Sequence, residues 1–137
     1  MSKKLKFCFI DYSTKKHDIT IMTSQTVLAS LMRAMIKYDC GDVPRIQHLV
    51  KVHDFARTIG IAEGLTDEEL FVLEATAIFH DIGIHEAERK YGNCSGKYQE
   101  EFGADEARKI LHEVTGFSDN QTERICWLIG HHHTYTE

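Results

Sequence analysis

The amino-acid sequence predicts a mainly α-helical domain with a short β-like arm or hairpin at its N-terminus. Three observations carry that reading. From Gln25 onward apolar residues recur at helical spacing. The segments so marked are bracketed by helix start and stop signals, among them Asp42 with Pro44, Thr66 with Glu69, Ser118 with Gln121, and the glycines Gly41, Gly83 and Gly116. Strand-like character is confined to residues 5–22. The expected organisation is therefore an arm over residues 1–24 and a helical domain over residues 25–137.

Composition limits the possible functions. The chain has 137 residues, 42% hydrophobic and 27% charged, which suits one soluble domain with a real core. One proline and nine glycines argue against a disordered or fibrous chain. A formal net charge of −5 disfavours a broad DNA or RNA surface, but a bound metal would still let such a chain hold a small anion. Cys8, Cys40, Cys94 and Cys126 are far apart and show no C-x-x-C spacing. Without a signal-peptide pattern or an apolar run of membrane length, reduced thiols and a cytoplasmic location are expected, with no membrane partner.

Taken in order, Phe7, Phe9 and Tyr12 precede the polar turn Ser13–Lys16, and Ile19, Ile21 and Met22 follow it, as in a hairpin that packs without chemistry of its own. Val27, Leu28, Leu31, Met35 and Ile36 mark a first helix over Gln25–Tyr38. Asp42 caps a second helix over Val43–Ile59, where Pro44 is tolerated in the first turn. On that helix His48, Val52, Phe55 and Ile59 fall within about 40° of one another, which predicts an inward stripe. A buried, hydrogen-bonded core histidine is the plainer role for His48. His53 lies about 140° around from His48, so the pair His53–Asp54 is not expected to share a site with it.

The capping box Thr66–Glu69 opens a third helix that is apolar almost all round from Leu70 to Phe79 and so should be central. It ends in Ala77-Ile78-Phe79-His80-Asp81-Ile82-Gly83, where two metal-capable side chains meet a glycine exit. Residues 84–99 are polar and mixed, which predicts a loop over the end of the central helix. Such a loop either carries substrate contacts or is a solvated connection. An amphipathic helix over Glu100–Val114 and a last helix holding Ile125, Leu128 and Ile129 complete the domain. His132 continues the stripe of Ile125, so His131-His132-His133 is read as native sequence and not as a tag remnant.

Three separate helices thus point His48, His80 with Asp81, and His131 or His132 inward. Imidazole with carboxylate suits Zn, Mn, Fe, Co or Ni, and the spacings fit neither a zinc finger nor an H-E-x-x-H helix.

On His48 in Arg45–Val52 and on Ala77–Gly83, the chain over residues 43–133 resembles the HD superfamily of metal-dependent phosphohydrolases. The resemblance implies an all-α domain with ligands from successive helices around one cleft. It implies hydrolysis of phosphomonoesters or phosphodiesters, commonly of nucleotides, with a divalent metal (Mn, Fe, Co, Ni, Zn or Mg). Carried over, His48 is the first ligand, His80 the second and Asp81 the third, with His80 and Asp81 also catalytic. His131 and His132 look like late histidines that hold a second metal or the substrate phosphate, and Lys51 and Lys97 are further phosphate candidates. Gln99 stands where two-metal branches place a histidine, which argues for one metal.

The family's final aspartate has no counterpart, since no aspartate follows Asp119. Either the domain is C-terminally truncated, or the last ligand comes from elsewhere, or the metal site is degraded. A truncated domain is expected to leave bare the inner faces of the helices carrying His48 and Ile125, to bind metal weakly or not at all, to have low activity, and to form a homo-oligomer in which a second chain covers Leu128, His132 and Tyr135. The competing expectation is a catalytically impaired domain that binds a nucleotide or protein partner without turnover.

Overall fold

The structure is a computed structural model that describes residues 22–134, together with a strand pair near the N-terminus. In that pair β1 (Lys6–Phe7) runs antiparallel to β2 (Ile10–Asp11), with Lys6 opposite Asp11 and Phe7 opposite Ile10. The expected hairpin is not supported. Both paired segments lie on the first of its two anticipated strands, and its turn at Ser13–Lys16 falls outside the described residues.

Six helices follow among the described residues: α1 (Ser24–Tyr38), α2 (Val43–Ala62), α3 (Asp67–Phe79), α4 (Ile84–Tyr91), α5 (Gly96–Glu113) and α6 (Asp119–Ile129). Their starts follow local chemistry. Thr66 and Glu69 form a reciprocal capping box at α3, as do Ser118 and Gln121 at α6 and Thr23 and Thr26 at α1. The Asp42 side chain accepts from the Arg45 amide to open α2. None of the helices is long and apolar enough to cross a membrane.

α3 is the central element, packed against α1, α2 and α6, while α5 joins α6 to α4. Phe79, Ile78, Leu31, Ile82, Ile125 and Ile129 are almost wholly buried and form the heart of the core. Gly83 leaves α3 with ordinary negative φ, so its role is steric and not conformational. A Cβ there would lie 2.2 Å from the Gln99 carbonyl oxygen, so the missing side chain is what lets α5 approach the end of α3.

Two expectations are corrected. Residues 84–99 are not one loop, because α4 fills most of the stretch and α5 begins at Gly96. The polar sequence of α4 hides it, yet it buries Ile84 and Ala87 on one side. On α2 the inward stripe is a different one. Phe55 is 65% exposed and Ile59 60%, whereas Leu49 and Gly60 are buried against the core. The covered face also carries His53 and Arg57, whose side chains both reach Glu74 of α3 at 2.9 Å. Glu74 is buried, and an unpaired carboxylate there would be costly, so polar partners occupy the face that apolar periodicity assigned elsewhere. Of the two faces expected to be bare, that of α2 is exposed, whereas Ile125 is wholly buried. Tyr135 lies outside the described residues.

Core and surface aromatics should therefore separate in a denaturation experiment. Phe79→Ala should lower unfolding free energy by about 3–5 kcal/mol, and Phe55→Gln should change it by no more than about 0.5 kcal/mol. Comparable losses in urea titrations of both variants would contradict this packing.

Candidate metal centre

The centre is built where the C-terminal ends of α3 and α6 meet the side of α2. A helix end leaves carbonyl oxygens without intrahelical partners, and here histidines supply donors. His80, the C-cap of α3, places Nδ1 2.8 Å from the Ala77 carbonyl oxygen. Just past α6, His132 places Nδ1 2.7 Å from the Ile129 carbonyl oxygen, and His131 does the same to Trp127 at 2.7 Å. A carbonyl only accepts, so each Nδ1 carries the proton and each Nε2 is left with a lone pair.

The lone pairs of His80 and His132 face Asp81, and His48 joins them. His80 Nε2 lies 3.0 Å from Asp81 Oδ2, and His48 Nε2 lies 3.1 Å from His80 Nε2 and 3.2 Å from the same carboxylate oxygen. His132 Nε2 faces the other oxygen, Asp81 Oδ1, at 3.6 Å. That is an electrostatic contact, longer than a hydrogen bond, and His132 Nε2 is buried with no hydrogen-bond partner. Burial alone would push the Asp81 carboxyl up, but His132 and His80 beside it and the charges of His80 and His48 hold it well below the usual range. Burial likewise opposes the charged form of His132, and Asp81 and the Ile129 carbonyl outweigh it and raise its pKa.

The donor set fits a divalent cation. His48, His80 and Asp81 each offer one ligand atom within 4.8 Å of the others, and Asp81, His132 and His133 form a second such group. With its Nδ1 proton committed to Ala77, neutral His80 presents Nε2 as an acceptor beside Asp81 Oδ2, and a cation or a proton between the two suits that pair. Two helix C-termini, each carrying partial negative charge, add to the same preference.

The remaining predicted residues fall as follows. His131 is exposed and stacks on the Trp127 ring at 4.5 Å, outside both groups. Lys51 and Lys97 are exposed, and among the described residues no hydrogen bond or ion pair joins them to the cluster. His53 is bonded to Glu74 and takes no part in either group. His133, which sequence reasoning does not single out, stands beside His132 with ring centroids 3.9 Å apart. Its Nε2 lies 3.2 Å from Gln99 Oε1, and the Gln99 amide donates to the Cys94 carbonyl at 2.7 Å. The turn after Gly130 breaks helical spacing, so the stripe through Ile125 carries no signal for this residue.

Because His48 is half exposed and His53 partners a buried carboxylate, the two should fail differently. His48→Ala should lose bound metal with little loss of stability. His53→Ala should keep the metal and lose about 1–3 kcal/mol, since Glu74 loses a partner. Metal analysis after loading with Mn²⁺, paired with thermal melts, reads both; equal metal loss in the two variants would contradict the site.

Residues 45–137 match the family model described as HD domain. The chain matches no curated protein and no solved structure. The family match covers more than half of the chain and takes in His48, His80 and Asp81. By that match the chain belongs to the HD domain family.

Proposed function

We propose that this protein is a metal-dependent phosphohydrolase acting on a small phosphorylated compound, with nucleotides as the first class to test. The observation that carries the reading is the convergence of His48 Nε2, His80 Nε2 and Asp81 Oδ2 within 3.0–3.2 Å, with both Nδ1 protons of His80 and His132 already committed to backbone carbonyls. His48, His80 and Asp81 hold the metal, and His132 Nε2 offers a further donor on the Asp81 Oδ1 side. A divalent metal bound there polarises a phosphoryl oxygen and lowers the pKa of a bound water.

The chain's own residues do the rest. Asp81 stays ionised, held so by its histidine neighbours, and its carboxylate can orient a water. His80 is fixed as ligand by its Ala77 bond and cannot turn its protonated nitrogen inward. His132 and His133 group with Asp81 on its Oδ1 side, and His132 in its protonated form, which Asp81 favours, donates from Nε2 to the phosphate. Lys51, one helical turn after His48, is the cation retained as a phosphate contact, with Lys97 beside the start of α5. Neither lysine is needed to hold the metal.

A screen of nucleoside phosphates and simple phosphomonoesters in Mn²⁺ should find turnover that EDTA abolishes and that Asp81→Asn lowers by at least about a hundredfold. Metal affinity should fall on acidification, because imidazole ligands bind only when deprotonated. Tight nucleotide and metal binding with no turnover of any substrate would favour a binding domain instead, and turnover that survives EDTA would sink the proposal.

A further inference from the structure

The turn that carries Asp81 runs directly into α4, and one polar chain ties α4 to two other helices. Arg45, in the first turn of α2, donates from Nη2 to Glu88 Oε1 at 2.6 Å. Its Nε pairs with Asp42, the N-cap of its own helix, at 3.2 Å, and its Nη1 lies 3.3 Å from His85 Nδ1. A guanidinium has donors only. His85 Nδ1 must therefore accept, which places the ring proton on Nε2. That nitrogen donates to Asp39 Oδ1 at 2.7 Å. Asp39 is buried and is the C-cap of α1. Each link of this series pairs a donor with an acceptor, from α2 through α4 to α1. The Tyr38 ring sits edge-on to His85 at 5.0 Å, with its hydroxyl 3.4 Å from the Ile82 carbonyl oxygen in the Asp81 turn.

This chain stands where packing is thin. α2 packs mainly on α3. His48 itself is half exposed, so few apolar neighbours fix where it points. Arg45 precedes His48 by one helical turn on the same side of α2. We propose that Arg45, through Glu88 and His85, is a positioning residue that holds the start of α2 against α4 and so sets His48 beside His80 and Asp81. Single exposed ion pairs contribute little, but Arg45 also reaches the buried Asp39 through His85 and acts on a ligand with little else to place it. The consequence for metal binding rests on the metal-centre reading; the positioning itself does not.

The test uses the full chain in two states. Without metal, NMR cross-relaxation between protons of the His48 and His80 rings, whose centroids are 5.1 Å apart, reads their proximity. The cross-peaks should be present in the wild type and in Lys109→Met, and absent in Arg45→Met and in Glu88→Leu. With Co²⁺, Arg45→Met and Glu88→Leu should each bind about tenfold or more weakly, with a changed visible spectrum. The double variant should bind no worse than the weaker single one, because the two residues act as a unit.

Cross-peaks retained in either variant overturn the proposal, whatever happens to the metal. Separated rings together with wild-type Co²⁺ affinity and spectrum also overturn it. Separated rings in the variants, when the wild type itself takes up no Co²⁺, would leave the positioning role standing and count against the metal centre. If either variant fails to fold, Arg45→Lys and Glu88→Gln, which keep the chain lengths and weaken the pairing, are read by the same two criteria.

Discussion

The arrangement of this protein depends on how two helix ends are closed. α3 and α6 each finish with unsatisfied carbonyls, and each meets that need with a histidine whose Nδ1 donates back to the last turn. The bond does two things at once. It satisfies a buried backbone acceptor, and it turns the other ring nitrogen outward as a bare lone pair. Since α3 and α6 pack side by side with these ends together, the lone pairs face one another across Asp81. The site gathers imidazole nitrogens and a carboxylate next to the negative ends of two helix dipoles. His48, His80 and Asp81 are the residues of that group that could hold a divalent metal.

α2 contributes to the site in another way. Its contact with α3 is part apolar, through Leu49 and the close approach at Gly60, and part polar, through His53 and Arg57 on Glu74. Glu74 lies within the most apolar helix of the chain, and its burial is tolerable only because α2 brings two donors. The same helix thus uses its histidines for opposite ends, His53 to hydrogen-bond a buried carboxylate of the scaffold and His48 to reach the centre.

Much of this is legible in the sequence. The capping boxes at Thr66 and Ser118 fix helix starts by local hydrogen bonding, which needs no knowledge of the rest of the chain, and both are present. α3 is legible as central because it is apolar all round, and the His80–Asp81 pair because a long apolar run delivers it to a glycine. What is not legible depends on partners. Helical angle says which residues share a face but not which face is covered, so periodicity places Phe55 and Ile59 inward while Arg57 and His53 hold that place. α4 escapes detection since its burial is limited to Ile84 and Ala87. His133 escapes it because the chain leaves helical geometry at Gly130, and its neighbour Gln99 comes from a distant part of the chain. Gly83 reads in the sequence as a sharp conformational exit, but its reason is the Gln99 carbonyl packed against it.

The central claim is that one divalent metal sits among His48, His80 and Asp81, and anomalous diffraction tests it most directly. In crystals grown with Mn²⁺ or Zn²⁺, data collected across the metal edge should show a peak about 2.0–2.2 Å from His48 Nε2, His80 Nε2 and an Asp81 oxygen. A peak at another place, or none at this one in crystals where the three side chains keep their positions, would contradict the account.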